Sequence, residues 1–255
     1  MSNARSLRLV ALGVGDAFSE LFYSCSSHLS CEGRGLLVDA PHPIRKMLRE
    51  ARISSGEPMP IEAIDALVLT HLHGDHASGV ESLAYFFRFG LERRLPVACH
   101  ADVRARLWDG HLAAGMEQLL DASTGELRDM SFDDYFTWIE LKEDAITELG
   151  PWLIEPRRTL HHIPTTALRI GAGGHRIGFS ADTAFDPSLI EWLADCDLIL
   201  HETNLGVHTP YADLAALPAE LRERMRLVHY TDDFDRSASV IRPLQQGECI
   251  TLGER

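Results

Sequence analysis

No stretch of this chain approaches the ~20 consecutive apolar residues needed to span a bilayer, so the sequence predicts no membrane span. Cysteine is sparse and unpaired. The five (Cys25, Cys31, Cys99, Cys196, Cys249) are odd in number and lack the spacing of a metal knuckle or a disulfide framework. Reduced thiols in a cytoplasmic protein are the expectation, each a core filler rather than a nucleophile. Met1–Arg5 carry no apolar signal core and lead straight into a strand-like segment. Neither repeats nor low-complexity tracts are visible. Basic charge is lacking too: 24 Lys and Arg stand against 38 Asp and Glu, a formal net charge of −14. A protein that grips long nucleic acid carries a basic stripe that replaces phosphate counterions. The clusters Arg88/Arg93/Arg94, Arg104/Arg106, Arg157/Arg158 and Arg222/Arg224/Arg226 are better explained as solvated helix faces. Long nucleic acid is therefore not an expected partner. Small phosphate ligands stay admissible, because bound divalent ions would offset acidic charge locally.

What is present is an ordinary globular composition, 45% hydrophobic and 24% charged, in 255 residues that suffice for one core. Residues 7–13 and 35–40 predict strands. Residues 43–51 predict a helix that opens on Pro43 and turns Ile44, Met47 and Leu48 to one face. A strand over 64–70, a helix over 79–89 and a short strand over 96–100 follow. Segments 166–170 and 176–180 flank Gly171-Ala172-Gly173-Gly174 and predict a hairpin. A helix over 187–194, a buried strand over 197–200 and a helix over 214–224 complete the order. Residues 101–150 are the hardest to read: 103–120 has helical spacing and 136–141 suits a strand. Trp108, Met116, Phe132, Tyr135, Phe136 and Trp138 lie there amid acidic groups. Plain packing is one explanation; a helical insertion acting as a lid or dimer contact is the other. The expectation is a single α/β domain over 1–255, in a homodimer, with residues 101–150 open to either explanation.

The densest chemistry is His71-Leu72-His73-Gly74-Asp75-His76, directly after the apolar run Ala66-Leu67-Val68-Leu69-Thr70. Neutral imidazole and carboxylate suit zinc and similar divalent ions. In an extended segment His71 and His73 fall on one side. Gly74 then lets the chain turn, so that Asp75 and His76 face a second position beside the first. This pattern predicts a metal site.

His-x-His-x-Asp-His resembles the signature of the metallo-β-lactamase superfamily, and further stations follow in that family's order. Gly35-Leu36-Leu37-Val38-Asp39 supplies the early Asp, and Leu160-His161-His162-Ile163-Pro164 the third His ligand. Gly178-Phe179-Ser180-Ala181-Asp182-Thr183 supplies the bridging carboxylate, with Ala181 in place of the usual Gly, and Leu227-Val228-His229-Tyr230 the last ligand. The opening Leu12-Gly13-Val14-Gly15-Asp16-Ala17-Phe18, together with His201-Glu202-Thr203 and His208-Thr209, is similar to the tRNase Z-like branch. The resemblance implies an αββα sandwich, two mixed sheets flanked by helices. It implies two divalent ions, zinc or else manganese. One would be held by His71, His73 and His161, the other by Asp75, His76 and His229, with Asp182 between them. His162 competes with His161 for its slot, and the family spacing favours His161. Asp39 is expected to support the ligands rather than react.

The implied activity is hydrolysis by a metal-bridging hydroxide, oriented by Asp75, with Glu202 orienting His208 as the acid that protonates the leaving oxygen. A tRNA 3′-processing nuclease carries an exosite arm between the third His and the bridging Asp. Here only residues 162–181 separate them, too few for that arm. A small phosphodiester, best a cyclic mononucleotide, is the expected substrate, since the branch includes bacterial and phage enzymes that degrade these. Hydrolysis of a non-phosphate ester, lactone or sulfate is the alternative, and tRNA processing the second. Phe22, Tyr23 and Tyr211 are candidates to stack on a base.

Overall fold

The computed structural model describes residues 6–253; the Met1–Arg5 expectation lies outside them. The strands in chain order are β1 (Leu7–Gly13), β2 (Ser26–Cys31), β3 (Arg34–Val38), β4 (Ile64–Val68), β5 (Leu95–His100), β6 (Gln118–Leu120) and β7 (Leu127–Asp129). They continue as β8 (Phe136–Leu141), β9 (Thr147–Leu149), β10 (Trp152–Arg158), β11 (Thr166–Ala172) and β12 (His175–Phe179). β13 (Leu198–Glu202), β14 (Met225–Val228) and β15 (Cys249–Leu252) complete them. Seven form one sheet in the order β15-β1-β2-β3-β4-β5-β8, and six form a second, β14-β13-β12-β11-β10-β9. Both are mixed. In the first, β3, β4, β5 and β8 run parallel; in the second, β12, β13 and β14 do.

The sheets bury one apolar layer between them, with Leu9, Leu29, Leu36 and Val68 meeting Trp152, Ile154, Leu168 and Ile177. The outer face of the first sheet, through Val10, Leu37 and Leu67, packs on helices. The helix Ile44–Ser55 buries Ile44, Met47, Leu48 and Ala51, a period that follows from the 3.6-residue turn. Helix Pro187–Leu193 covers the second sheet at Gly178, where an added Cβ would sit 2.8 Å from Leu193 Cδ2. This is the metallo-β-lactamase sandwich the resemblance implied.

Two element expectations need correction. The run 214–224 is two short helices, Tyr211–Ala215 and Ala219–Glu223, because Pro218 breaks the register between them. The helical run over 103–120 ends at Met116, interrupted by a π-turn over Trp108–Leu112, and Gln118–Leu120 pairs with β7 instead. Segment 101–150 otherwise supplies edge strands to both sheets, β8 beside β5 and β9 beside β10.

The parallel strands decide where chemistry can sit. Asp39 follows β3, the His71–His76 loop follows β4, Asp182 follows β12, and His229 follows β14. Glu202 closes β13. Side chains at the carboxyl ends of adjacent parallel strands converge on one crevice, the usual ligand position in such sheets.

Candidate active site

Parallel register sets the first contacts. Val38 lies opposite Val68, so Asp39 reaches Thr70: the Thr70 amide donates to Asp39 Oδ1 at 2.8 Å and its hydroxyl to Oδ2 at 2.7 Å. Oδ2 also lies 2.8 Å from His76 Nδ1. With that nitrogen anchored, His76 turns Nε2 toward Asp75 Oδ2 (3.4 Å) and Asp182 Oδ1 (3.3 Å). Asp39 thus orients a ring, the supporting task expected of it.

The chain turns after His73 because a short helix, Gly74–Ala77, begins there. Gly74 has helical backbone, and a Cβ on it would meet nothing within 4 Å. The turn does not demand glycine at this place, and Gly74 borders the cleft beside Asp75. Three non-glycine residues of the site hold left-handed backbone: Asp39 (φ 57°), Ala181 (φ 49°) and His229 (φ 56°). Ala181 departs from the family's Gly at a position where glycine would be unstrained.

Two groups of donors result. His71 Nε2 and His161 Nε2 lie 3.2 and 3.3 Å from His73 Nδ1. Asp182 Oδ2 is 3.5 Å from His71 Nε2 and 3.9 Å from His161 Nε2. Asp75 Oδ2 is 3.1 Å from His229 Nε2, and Asp182 Oδ1 is 3.7 Å from the same nitrogen. Asp182 therefore gives one oxygen to each group. His162 stands outside, its Nε2 3.1 Å from the far nitrogen of His73. Of the expected site residues, His71, His73, His161 and Asp182 come together, as do Asp75, His76 and His229.

The electrostatics test whether cations belong here. Two imidazole nitrogens, of His71 and His161, point at His73 Nδ1 in the first group, and one proton on that nitrogen cannot serve both pairs. Burial lowers the pKa of His71, His73 and His161, the latter two to about 4, which keeps them neutral as ligands must be. In the second group burial opposes charge on His76 and His229, yet Asp182, with Asp39 for His76 and with Asp75 and Glu202 for His229, raises both, His229 to about 10. Burial likewise opposes ionisation of Asp75 and Asp182, but their histidine neighbours hold both carboxyls low. The carboxylates thus demand positive charge. Buried His76 Nε2 has no hydrogen-bond partner, although it is aimed between two of them. The donor set fits divalent ions.

Beside these groups lies a hydrogen-bonded pair, His208 and Glu202. His208 Nδ1 is 2.9 Å from both oxygens of Glu202, whose Oε1 accepts from the Thr183 amide at 2.5 Å. Glu202 Oε2 also approaches His229 Nδ1 at 3.5 Å. The hydrogen bond to Glu202 raises the pKa of His208, while burial of Glu202 is outweighed by bonds from His208 and His229. His208 shares a third close group with Asp182 and His229. A cleft of about 650 Å³ opens over the site, lined by Phe18, Asp75, His162, Asp182, His208 and His229.

Sequence reasoning missed the bracing around this cleft. Buried Asp16 accepts from Asn204 Nδ2 at 3.0 Å, and Asn204 also donates to the His229 carbonyl at 3.1 Å. Partners 188 positions apart leave no local signal. The expected stacking aromatics are occupied elsewhere. Phe22 packs edge-on against Tyr230, Tyr23 donates its hydroxyl to Glu50, and Tyr211 accepts from the Val240 amide.

A two-sheet sandwich with these His and Asp groups at its strand ends defines a metal-dependent hydrolase of the metallo-β-lactamase fold, in its phosphodiesterase branch. The chain belongs, more narrowly, to the family of anti-Pycsar protein Apyc1, whose model matches residues 7–249. An anti-Pycsar protein Apyc1 of Paenibacillus sp. (strain J14) is 32% identical over 240 residues, covering 90% of this chain and 91% of that protein. One from Bacillus phage BSP38 is 29% identical over 249 residues, 92% of each. Among solved structures, the metallo-β-lactamase fold protein YhfI of Bacillus subtilis superposes with a TM-score of 0.74 at 18% identity. The match covers 96% of this chain and 99% of that one, and shares the fold.

Proposed function

We propose that this chain is a dinuclear phosphodiesterase that opens cyclic mononucleotides. The observation that carries the reading is the division of Asp182, with Oδ2 beside His71 and His161 and Oδ1 beside His76 and His229. His71, His73 and His161 would hold one ion, Asp75, His76 and His229 the other, and Asp182 both. Nitrogen and oxygen donors favour zinc, with manganese second. When bound, such a pair activates water and neutralises charge on a phosphoryl oxygen.

The chain's own residues do the rest. Asp75, on the cleft side of its group, accepts a hydrogen bond from the attacking water and aligns it. Glu202 accepts the Nδ1 proton of His208, so Nε2 is the atom left to donate. The hydrogen bond to Glu202 raises the pKa of His208, which favours a second proton on Nε2, the atom placed to deliver it to the departing ribose oxygen. Residues 163–180 hold only a short connection and the hairpin β11–β12, which leaves the cleft open to a small ester. Bacterial and phage relatives agree with the branch from which the substrate expectation came.

The homodimer and the cytoplasmic setting belong to the same proposal. Exposed Leu120 and Leu127 on the β6–β7 hairpin support a pairing face, which sedimentation velocity tests. The deciding experiment is metal analysis of the purified protein beside a hydrolysis screen over cyclic nucleotides, bis(p-nitrophenyl) phosphate, lactones and aryl sulfates. Two ions per chain and cyclic-nucleotide turnover are expected. Fast lactone or sulfate turnover without phosphodiesterase activity would replace this reading.

A further inference from the structure

The loop between β1 and β2 presents Phe18 with 87% of its surface exposed. The loop is braced from both sides. Asp16 Oδ1 accepts from the Phe18 amide at 3.0 Å, and Asp16 Oδ2 is tied to Asn204. Beyond Phe18, Asp232 accepts from the Ser19 hydroxyl at 2.5 Å and from the amides of Glu20 and Leu21 at 2.7 and 3.3 Å. One carboxylate within the loop, Asp16, and one from far along the chain, Asp232, thus fix the backbone and leave the ring in water.

A lone exposed apolar residue needs no explanation. Phe18, however, lines the same cleft as Asp75, Asp182, His208 and His229. Leu21, Leu205 and Val207 are also exposed, the last two on the loop that Asn204 ties to Asp16. An aromatic ring at the edge of a site built for a charged group suits a ligand with one anionic end and one flat end.

We propose that Phe18 is the platform on which the base of the cyclic nucleotide stacks while its phosphodiester lies against the Asp75–Asp182–His229 side of the cleft. This rests on the function proposed above. A phenyl ring has few rotamers and its backbone is already fixed, so ordering it on binding costs little. Stacking is also indifferent to base identity, since every base offers a π-face. The other place for a base is a cavity of about 350 Å³ beyond His73 and His162, lined by Asp102, Arg106 and His111.

The test compares wild type, Phe18→Ala, Phe18→Trp and Arg106→Ala on the 3′,5′-cyclic monophosphates of adenosine, guanosine, cytidine and uridine. Base-free ribose 3′,5′-cyclic phosphate is the control. Because the ring is exposed, its removal opens no cavity. For Phe18→Ala we expect KM to rise about tenfold more for all four nucleotides than for the base-free ester, with kcat little changed. Phe18→Trp restores the nucleotide KM. An equal loss on both substrate types, no loss at all, or a base-dependent loss in Arg106→Ala alone overturns the role of Phe18. Wild type inert to every cyclic nucleotide instead defeats the functional reading, and this inference with it.

Discussion

His71 to His76 stand out without coordinates because the chain places four possible metal donors within six residues after a strand, whereas His161 and Asp182 are reached only through the family resemblance. That Asp182 stands between the two groups follows from the family resemblance; which of its oxygens faces which group needs the fold, since it depends on where β12 ends relative to β4. Asp182→Ala and Asp75→Ala should each abolish turnover and lower bound metal, measured by elemental analysis. His208→Ala should keep its metal and lose ~10²–10⁴-fold in rate on an alkoxide leaving group. Full activity on a cyclic nucleotide would remove His208 from its role. Away from the site, burial holds His28 down at about 4 from the ordinary 6.5. The folded state therefore refuses a proton that the unfolded chain accepts. Its stabilising contribution is complete above pH 6.5 and is lost as pH falls toward 4, up to ~3 kcal/mol. Urea unfolding of wild type and His28→Leu between pH 7 and 4.5 should differ in slope by one proton; parallel curves would show that His28 is not the titrating group.

Elements with a clean period were legible, and those without were not. Ile44–Ser55 buries one stripe, and β13 opens on the apolar run Leu198-Ile199-Leu200 and is buried along its whole length, as a parallel strand between two partners requires. β2 escaped notice because Ser26-Ser27-His28-Leu29-Ser30-Cys31 is polar yet almost wholly buried between two partner strands. Apolar pattern cannot reveal a strand whose neighbours supply the burial. Short edge strands such as β9, of three residues, carry too little sequence to show alternation. The join between the metal-loop helix and the end of β3 is a matter of contact. Gly79 donates its amide to the Ala40 carbonyl at 2.8 Å, and a Cβ there would lie 2.6 Å from the Pro41 carbonyl oxygen. Gly79→Ala should force Ala40–Pro41 away from the helix and with it loosen Asp39 from His76. A lowered melting temperature together with weaker retention of added divalent metal against a chelator is the expected pair of results. A variant that unfolds earlier but retains the metal normally would separate packing from the proposed metal site.

Taken whole, the molecule combines an open cleft over two groups of His and Asp donors with a formal charge of −14, a combination that favours a small substrate. A long polyanion is repelled by the general field and gains only where a basic surface releases its counterions. A mononucleotide feels chiefly the local site, where bound cations would reverse the sign. Topology adds a second constraint. Between His162 and Ala181 the chain spends its length on β11 and β12, joined through Gly173 and Gly174 at φ 62° and 86°, the positive values a tight hairpin turn requires. No residues are left over there for an arm that would embrace a tRNA. Cyclic mononucleotides should therefore be hydrolysed far faster than precursor tRNA at equal concentration. Raising salt should change the mononucleotide rate only weakly, because few phosphate contacts are involved. Precursor tRNA cleaved efficiently, with a steep inverse dependence on salt, would mean that a basic surface exists which neither the sequence nor the arrangement of the sheets reveals.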